Sequence, residues 1–361
     1  ALDDLYVMDM DDGDYEMLDG GAGATRAQPV WSPDGEWLAY VTWSPDGGHV
    51  VKIRPNGDDR TQVSSSAAQY QQLAWNGAGD RIVALRNPAR AFQESDGPQF
   101  GGAETDVVWF PAAGGTATVV APAEGRSGPH FVDDSNRIYL HHGTRGLVSV
   151  RWDGTDEREH VQVVGNTRPG ATQPNRASEI RMAPRSDLAL AKVNDDVYVV
   201  TVPQIGGETP TISVSNPDNA AFPAWKLTDI GGDFPSWSAD GRTVHYSIGN
   251  AHFMYDLDAA EAFADSVEAA EADEDEADED EDEDDDADDE YRAVERRILI
   301  EAPRDIPEGA VVLRGARVIT MNGDEVIENA DVVIRDNRIE AVGASGSVSV
   351  PSGADVVDVA G

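Results

Sequence analysis

Trp31-Ser32-Pro33-Asp34-Gly35, running on into Glu36-Trp37-Leu38-Ala39-Tyr40-Val41, is the stretch from which the rest of the chain can be read. An apolar anchor is followed by a Pro/Asp/Gly turn and then by an apolar strand. Proline presets φ, and Asp-Gly tolerates the positive φ that a tight hairpin needs. Trp237-Ser238-Ala239-Asp240-Gly241 precedes Val244-His245-Tyr246-Ser247-Ile248 in the same way. Weaker copies lie between them: Trp75 to Asp80 before Ile82-Val83-Ala84-Leu85, Phe131 to Asn136 before Ile138-Tyr139-Leu140, and Met182 to Asp187 before Leu188-Ala189-Leu190. The anchors Trp31, Trp75, Phe131, Met182 and Trp237 are spaced by 44, 56, 51 and 55 residues.

A second hairpin follows most of these. Val50-Val51-Lys52-Ile53 turns at Asn56-Gly57 into Arg60 to Val63, and Val107 to Phe110 turns at Gly114-Gly115 into Thr118 to Val120. Leu147 to Val150 turns at Asp153-Gly154 into His160 to Val163, and Val197 to Val200 is expected to turn at Gly206-Gly207 into Thr211 to Val214. Two hairpins per repeat give four antiparallel strands, the unit of a β-propeller blade, and helical periodicity is absent almost everywhere. Leu5 to Met8 turning at Asp12-Gly13 into Tyr15 to Leu18 is a second hairpin without a first, so the sequence opens in mid-blade with five full blades after it. In the fifth, His252 to Asp256 is expected to return as Arg292 to Ile300, with an acidic run filling the turn. The Trp-Ser-Pro-Asp-Gly signature resembles the TolB-type (PD40, WD40-like) propeller repeat over most of residues 1 to 301. Trp43-Ser44-Pro45-Asp46-Gly47 repeats the signature out of phase and is expected to be a loop between strands. The fold expected is therefore all-β: a TolB-like propeller with about five and a half blades visible, six or more in a parent protein.

The charge divides into two parts. Lys+Arg is 27 and Asp+Glu is 68, a formal net charge of −41. From Glu268 to Glu290, 18 of 23 residues are acidic and none is basic, which predicts a disordered hairpin insertion over 258–290. The remaining −23 is spread along the chain, and only Lys52, Lys192 and Lys226 are lysines. Such a balance fits a protein adapted to high salt, where screening relieves self-repulsion. It argues against nucleic acid and anionic lipid as partners. There is no Cys, hence no disulfide, no Cys-ligated metal and no thiol nucleophile. No apolar run approaches the roughly 18 residues of a membrane-spanning helix, so membrane insertion is not expected.

The texture changes after Pro303 and Pro307. Leu313-x-Gly315-Ala316-x-Val318-Ile319-Thr320-Met321, then Asp331-Val332-Val333-Ile334-x-x-x-Arg338-Ile339-x-x-Val342-Gly343, then Val350-Pro351-x-Gly353-Ala354-x-Val356-Val357-Asp358-x-x-Gly361, is a run of short strands with turns at Asn322-Gly323 and Asp336-Asn337. As residues alone this is a small β-meander, too small to bury a core by itself. In order and spacing it closely resembles the start of the amidohydrolase (metal-dependent hydrolase) superfamily. The resemblance implies that 302–361 begins a composite β-sandwich, that a barrel domain would be the partner of these strands, and that a divalent, zinc-like metal in that barrel activates water against a carbon–nitrogen bond. The first metal ligands there are a His-x-His pair on a later strand. The seven histidines here, His49, His130, His141, His142, His160, His245 and His252, all precede residue 302 and form neither His-x-His nor His-Glu-x-x-His. No catalytic, cofactor-binding or metal-binding residue is therefore assigned, and the segment is expected to be catalytically silent.

Other candidates have plainer explanations. His141-His142 point to opposite faces of a strand. Asp9, Asp11, Asp12 and Asp14 lack the frame of a calcium loop, and Asp133-Asp134 and Asp195-Asp196 read as turns. There is no Gly-x-Ser-x-Gly elbow for a serine nucleophile, and Gly21 and Gly23 lack the context of a dinucleotide site. The eight Trp read as blade packing, with a ligand-lining role as the alternative. Three hypotheses remain: the propeller portion of a metal-dependent amidohydrolase; a stand-alone TolB-like binding or scaffolding module, with a small-molecule or peptide ligand and a vestigial tail; and the propeller half of a prolyl-oligopeptidase-like peptidase, against which the tail argues. The resemblances favour an extracytoplasmic location.

Overall fold

The computed structural model describes residues 3–10, 12–21, 23–90, 105–133, 136–204, 206–274, 290–301 and 307–360. The chain forms two compact units, Ala1–Ile300 and Glu301–Gly361.

The first unit is a succession of antiparallel sheets. A half-blade pairs β1 (Leu5–Met8) with β2 (Tyr15–Asp19). Blade one holds β3 (Thr25–Trp31), β4 (Leu38–Ser44), β5 (Gly47–Ile53) and β6 (Thr61–Gln62). Blade two holds β7 (Gln69–Trp75), β8 (Arg81–Asn87), β9 (Asp106–Pro111) and β10 (Thr118–Pro122). Blade three holds β11 (Arg126–His130), β12 (Arg137–His142), β13 (Gly146–Arg151) and β14 (Arg158–Val164). Blade four holds β15 (Glu179–Met182), β16 (Leu188–Val193) and β17 (Asp196–Thr201). It is here that the structure corrects the expected hairpin. β18 (Thr211–Ser213) does not return along β17; it adds in parallel to the outer edge of β14 in blade three. The fourth strand of blade four is β19 (Ala224–Lys226). Thr211 to Val214 has the same β-forming pattern whichever sheet it joins, so local sequence cannot choose the partner.

Blade five holds β20 (Asp233–Trp237), β21 (Thr243–Ile248) and β22 (Ala251–Asp256), and its return strand is β23 (Val294–Arg297), within the stretch expected. A second correction lies between β22 and β23. Residues expected to be disordered from 258 form helix α1 (Leu257–Glu274). Leu257, Ala260, Phe263 and Val267 are the partly buried positions on it, one helical stripe inside an acidic sequence. Tyr291 closes the excursion, edge-on to Tyr255 at 5.0 Å and 6.3 Å from Phe263. Residues 275–289, the rest of the acidic run, lie outside the described residues.

Five hydrophobic clusters each join two successive sheets: half-blade to blade one, one to two, two to three, three to four, and four to five. Central strands are thus buried on both faces. On β8, Ile82 and Ala84 face blade one while Val83 and Leu85 face blade three. That is why these strands are nearly continuous apolar runs rather than alternating ones. The signature turn is a local hydrogen-bonded device. Ser32 Oγ donates to Asp34 Oδ1 at 2.5 Å, Glu36 N–H donates to the same carboxylate, and Trp37 N–H donates to Ser32 Oγ. Ser238 and Asp240 repeat the pattern, with Gly35 at φ 71° and Gly241 at φ 73°. The bonds from Ser32 and Ser238 hold Asp34 and Asp240 below the usual carboxylate range. The out-of-phase Pro45-Asp46 is the two-residue turn between β4 and β5.

The second unit is one sheet in the order β26–β25–β24–β27: β24 (Ala310–Ile319), β25 (Val326–Arg335), β26 (Arg338–Ala344) and β27 (Asp355–Asp358). The first three form an antiparallel meander, and β27 runs parallel to β24. Asp331 is buried and accepts from Gly315 N–H and Gly346 N–H; these backbone bonds, Gly346's first, hold its carboxyl low. Gly315 is at φ 82°, where an added Cβ would stand 3.0 Å from Ala360 Cβ.

Candidate functional site

The innermost strands carry a repeated irregularity that the sequence reading missed. β3, β7, β11 and β20 each bulge three residues before their anchor, at Gln28, Gln72, Gly128 and Phe234, all with φ between 53° and 58°. β15 pairs regularly. The bulges are stitched across blades. Gln72 N–H donates to Gln28 Oε1 at 2.5 Å, and Gly128 N–H donates to Gln72 Oε1 at 2.6 Å. The anchors do the same work one step along. Trp75 Nε1–H donates to Val30 carbonyl, and Trp237 Nε1–H donates to Arg181 carbonyl. Between blades three and four, His130 takes the place of an indole: Met182 N–H donates to its Nε2 at 3.0 Å, so Nδ1 carries the proton toward Gly128 carbonyl at 2.8 Å. Burial pushes the His130 pKa down to about 3, which keeps this acceptor available.

Among the described residues, an open cleft of about 270 Å³ lies along the outer edge of blade three. One wall is β14, with Glu159 and His160; the other is the segment that leads into β18, with Pro203, Gln204, Glu208 and Pro210. Its origin is the departure from the repeat: 22 residues separate β17 from β19, and they carry β18 across to β14. Thr209 Oγ1–H donates to Glu159 Oε2 at 3.4 Å. Behind His160, its Nε2 lies 2.8 Å from Ser149 Oγ, which also accepts from Arg137 Nε–H at 2.8 Å. The His160 ring stacks on Tyr139 at 5.2 Å. Burial, then the charges of Arg137 and Arg158, lower its pKa to about 4, so the cleft presents a neutral imidazole beside two carboxylates and an amide. Ser149 is fully buried on β13 and cannot reach a substrate carbonyl as a nucleophile needs to. The arrangement suits binding of a small polar or cationic molecule rather than covalent chemistry.

The residues singled out from sequence do not converge. His141 is buried and faces blade four beside Ile180, in a small cavity it shares with Gln162 and Arg176. Burial lowers its pKa to about 4. His142 is turned to the β12–β13 turn, where Thr144 N–H donates to its Nδ1. Asp9, Asp12 and Asp14 belong to the β1–β2 turn, and Asp11 lies outside the described residues. Asp133 pairs with Arg185 at 2.8 Å, and Asp134 is likewise outside the described residues. Asp196 pairs with Lys226 at 3.2 Å, and Asp195 carbonyl accepts from Gly232 N–H. Gly21 N–H donates to Asp4 Oδ1. The Trp side chains divide: Trp75 is buried, Trp37 lies under Lys52 and Arg54, and Trp109 and Trp152 flank Arg81, whereas Trp31 and Trp225 are about half exposed. Among the described residues no three His, Cys, Asp or Glu come together as a metal centre, and no helix is long and apolar enough to cross a membrane.

No family model matches the chain, and no curated protein matches it. Among solved structures it is similar to an oligogalacturonate lyase in complex with manganese (TM-score 0.45, 13% identity, 70% of this chain and 68% of that one). It is also similar to TolB from Acinetobacter baumannii (0.47, 12%, 71% and 57%) and to a putative TolB from Agrobacterium tumefaciens (0.41, 16%, 63% and 85%). The chain thus spans less than two thirds of the Acinetobacter protein's length.

Proposed function

We propose that this chain is the propeller portion of a metal-dependent amidohydrolase that cleaves amide or cyclic amide bonds, and that Glu301–Gly361 is the first layer of that enzyme's β-sandwich. The observation that carries this reading is the second unit's sheet. Register places Leu313, Val332, Val342 and Val357 on one face, with Ile334 and Ile339 beside them. Ile339 is 68% exposed, Val357 45% and Val342 38%. The opposite face carries Val312 and Val333, both buried. One face is thus already covered, and the exposed apolar face is the one left to pack on a second sheet, as the inner face of a sandwich does. Of the motif residues, Gly315 sits at a bulge of β24, and Asp331 and Gly343 are paired with each other across β25 and β26, which supports a resemblance that is architectural.

The parent activity requires a divalent ion, and the described residues do not fit one as a catalytic centre. No step is therefore assigned to residues of this chain. Its part is to bind and to shape access, and in isolation it should not hydrolyse amides. Reading the gene past the Gly361 codon tests this directly: a Pro-Gly turn and a His-x-His pair are expected shortly downstream. An immediate stop codon would instead favour the second reading, a stand-alone propeller binding module, to which the 270 Å³ cleft lends support.

A further inference from the structure

We propose that His245 and His252 form a two-imidazole site on blade five for a nitrogen-preferring divalent transition ion: Cu²⁺, Ni²⁺ or Zn²⁺. The site follows from the hairpin. β21 and β22 are joined at Gly249-Asn250, and the register places His245 opposite Met254 and Ser247 opposite His252. All four side chains share one face. The other face, with Val244, Tyr246, Phe253 and Tyr255, packs on blade four. His245 Nδ1 stands 3.2 Å from His252 Nε2, and the two rings are stacked with centroids 5.3 Å apart and 25° between planes.

That separation matches a metal bite. Two metal–imidazole bonds of about 2.05 Å at a near-tetrahedral angle put the two nitrogens about 3.2–3.3 Å apart. Without an ion the two nitrogens share one N–H···N bond. With an ion, the ring that donates moves its proton to its other nitrogen, so both facing lone pairs coordinate and no net proton is released. Both rings are half-buried, and burial lowers the pKa of each. The charge acting on His245 from the neighbouring turn is the Asp240 carboxylate, which attracts a cation. Ser247 and Met254 occupy register positions on the same face, and water completes the coordination. Imidazole selects late first-row ions over Mg²⁺ and Ca²⁺, which seek oxygen.

The test uses the full chain in molar salt with excess Mg²⁺, so that the carboxylates of the acidic run are occupied. Electron paramagnetic resonance of one added equivalent of Cu²⁺ should show hyperfine coupling to two imidazole nitrogens. His245→Gln and His252→Gln should each abolish the two-nitrogen pattern and weaken binding at least about tenfold, since losing even an outer-shell partner commonly costs that much. His49→Gln should leave it intact. A measurement independent of variants is Zn²⁺ titration of the parent followed by imidazole NMR, in which His245 and His252 should shift first. Cu²⁺ lacking two-nitrogen coupling, a pattern surviving both substitutions, or Zn²⁺ shifts confined to other histidines would overturn the proposal.

Discussion

On β16 of the first unit, Ala189 and Ala191 pack against blade three and Leu190 against blade five, whereas on β26 of the second unit Ile339 and Val342 stand on a face that the described residues leave open to water. β16 is an almost unbroken apolar run, whereas in β26 Arg338 and Glu340 alternate with Ile339 and Ala341, and the number of neighbouring layers differs with them. A repeat gives every interior sheet two partners, so apolar residues at successive positions are all used. In the second unit Val312 and Val333 are buried on one face, while Ile339 and Val342 on the other stay exposed. Chromophores divide in the same way: all eight Trp, all nine Tyr and all seven His precede residue 301. Tryptophan emission and near-ultraviolet dichroism therefore report on the first unit alone.

The largest expected effect is that of salt. Moving the chain from molar salt to dilute buffer should unfold the first unit, seen as red-shifted tryptophan emission; emission unchanged by this transfer would sink the salt-adaptation reading. Acid comes next. The folded pKa values of His130, His141 and His160 are lowered to about 3, 4 and 4, against about 6.5 when unfolded. Between those limits the unfolded chain binds more protons, so their stabilisation is complete above pH 6.5 and is lost as pH falls toward 4. The urea midpoint read by tryptophan should drop across that window, while exchange of second-unit amides, corrected for the intrinsic rate, should show no matching step.

Two paired substitutions probe burial at single sites, the first pair within the first unit and the second between the units. Trp75 is 6% exposed and bonded across blades, whereas Trp31, at the same place in the repeat, is 48% exposed. Trp75→Ala should cost about 3–5 kcal/mol and Trp31→Ala under about 1 kcal/mol in denaturant titrations. Leu190→Ala should cost about 2–5 kcal/mol, and Ile339→Ala within about 0.5 kcal/mol. Equal losses at Leu190 and Ile339 would erase the distinction between stacked and single sheets, and equal losses at Trp75 and Trp31 would show that burial does not set the cost of an anchor.

Most of the blade pattern was legible in the sequence because it is written in turns. Ser32 and Asp34 make their bonds within five residues, and so do Ser238 and Asp240, so the motif and the structure are the same local object. Local sequence places Thr211 to Ser213 beside β17 because a parallel pairing with β14 is settled some fifty residues away. Helix α1 was hidden by the density of acids around Leu257, Ala260, Phe263 and Val267. The cleft at His160 could not be foreseen, since it exists only where β18 crosses. The His245–His252 pair was within reach: a two-residue turn at Gly249-Asn250 dictates which positions face each other, and the register needed only to be counted.

The crossing of β18 also bears on how the molecule comes apart. In a plain array of blades each sheet can open at the cost of its two interfaces, and opening spreads from the ends. Here the backbone of blade four is hydrogen-bonded into blade three, Gln162 N–H to Pro210 carbonyl and Val214 N–H to Val164 carbonyl. The two blades are thereby fused into one cooperative block. Amide hydrogens of β13, β14, β16 and β17 should exchange together and last, with the half-blade and blade five opening around them.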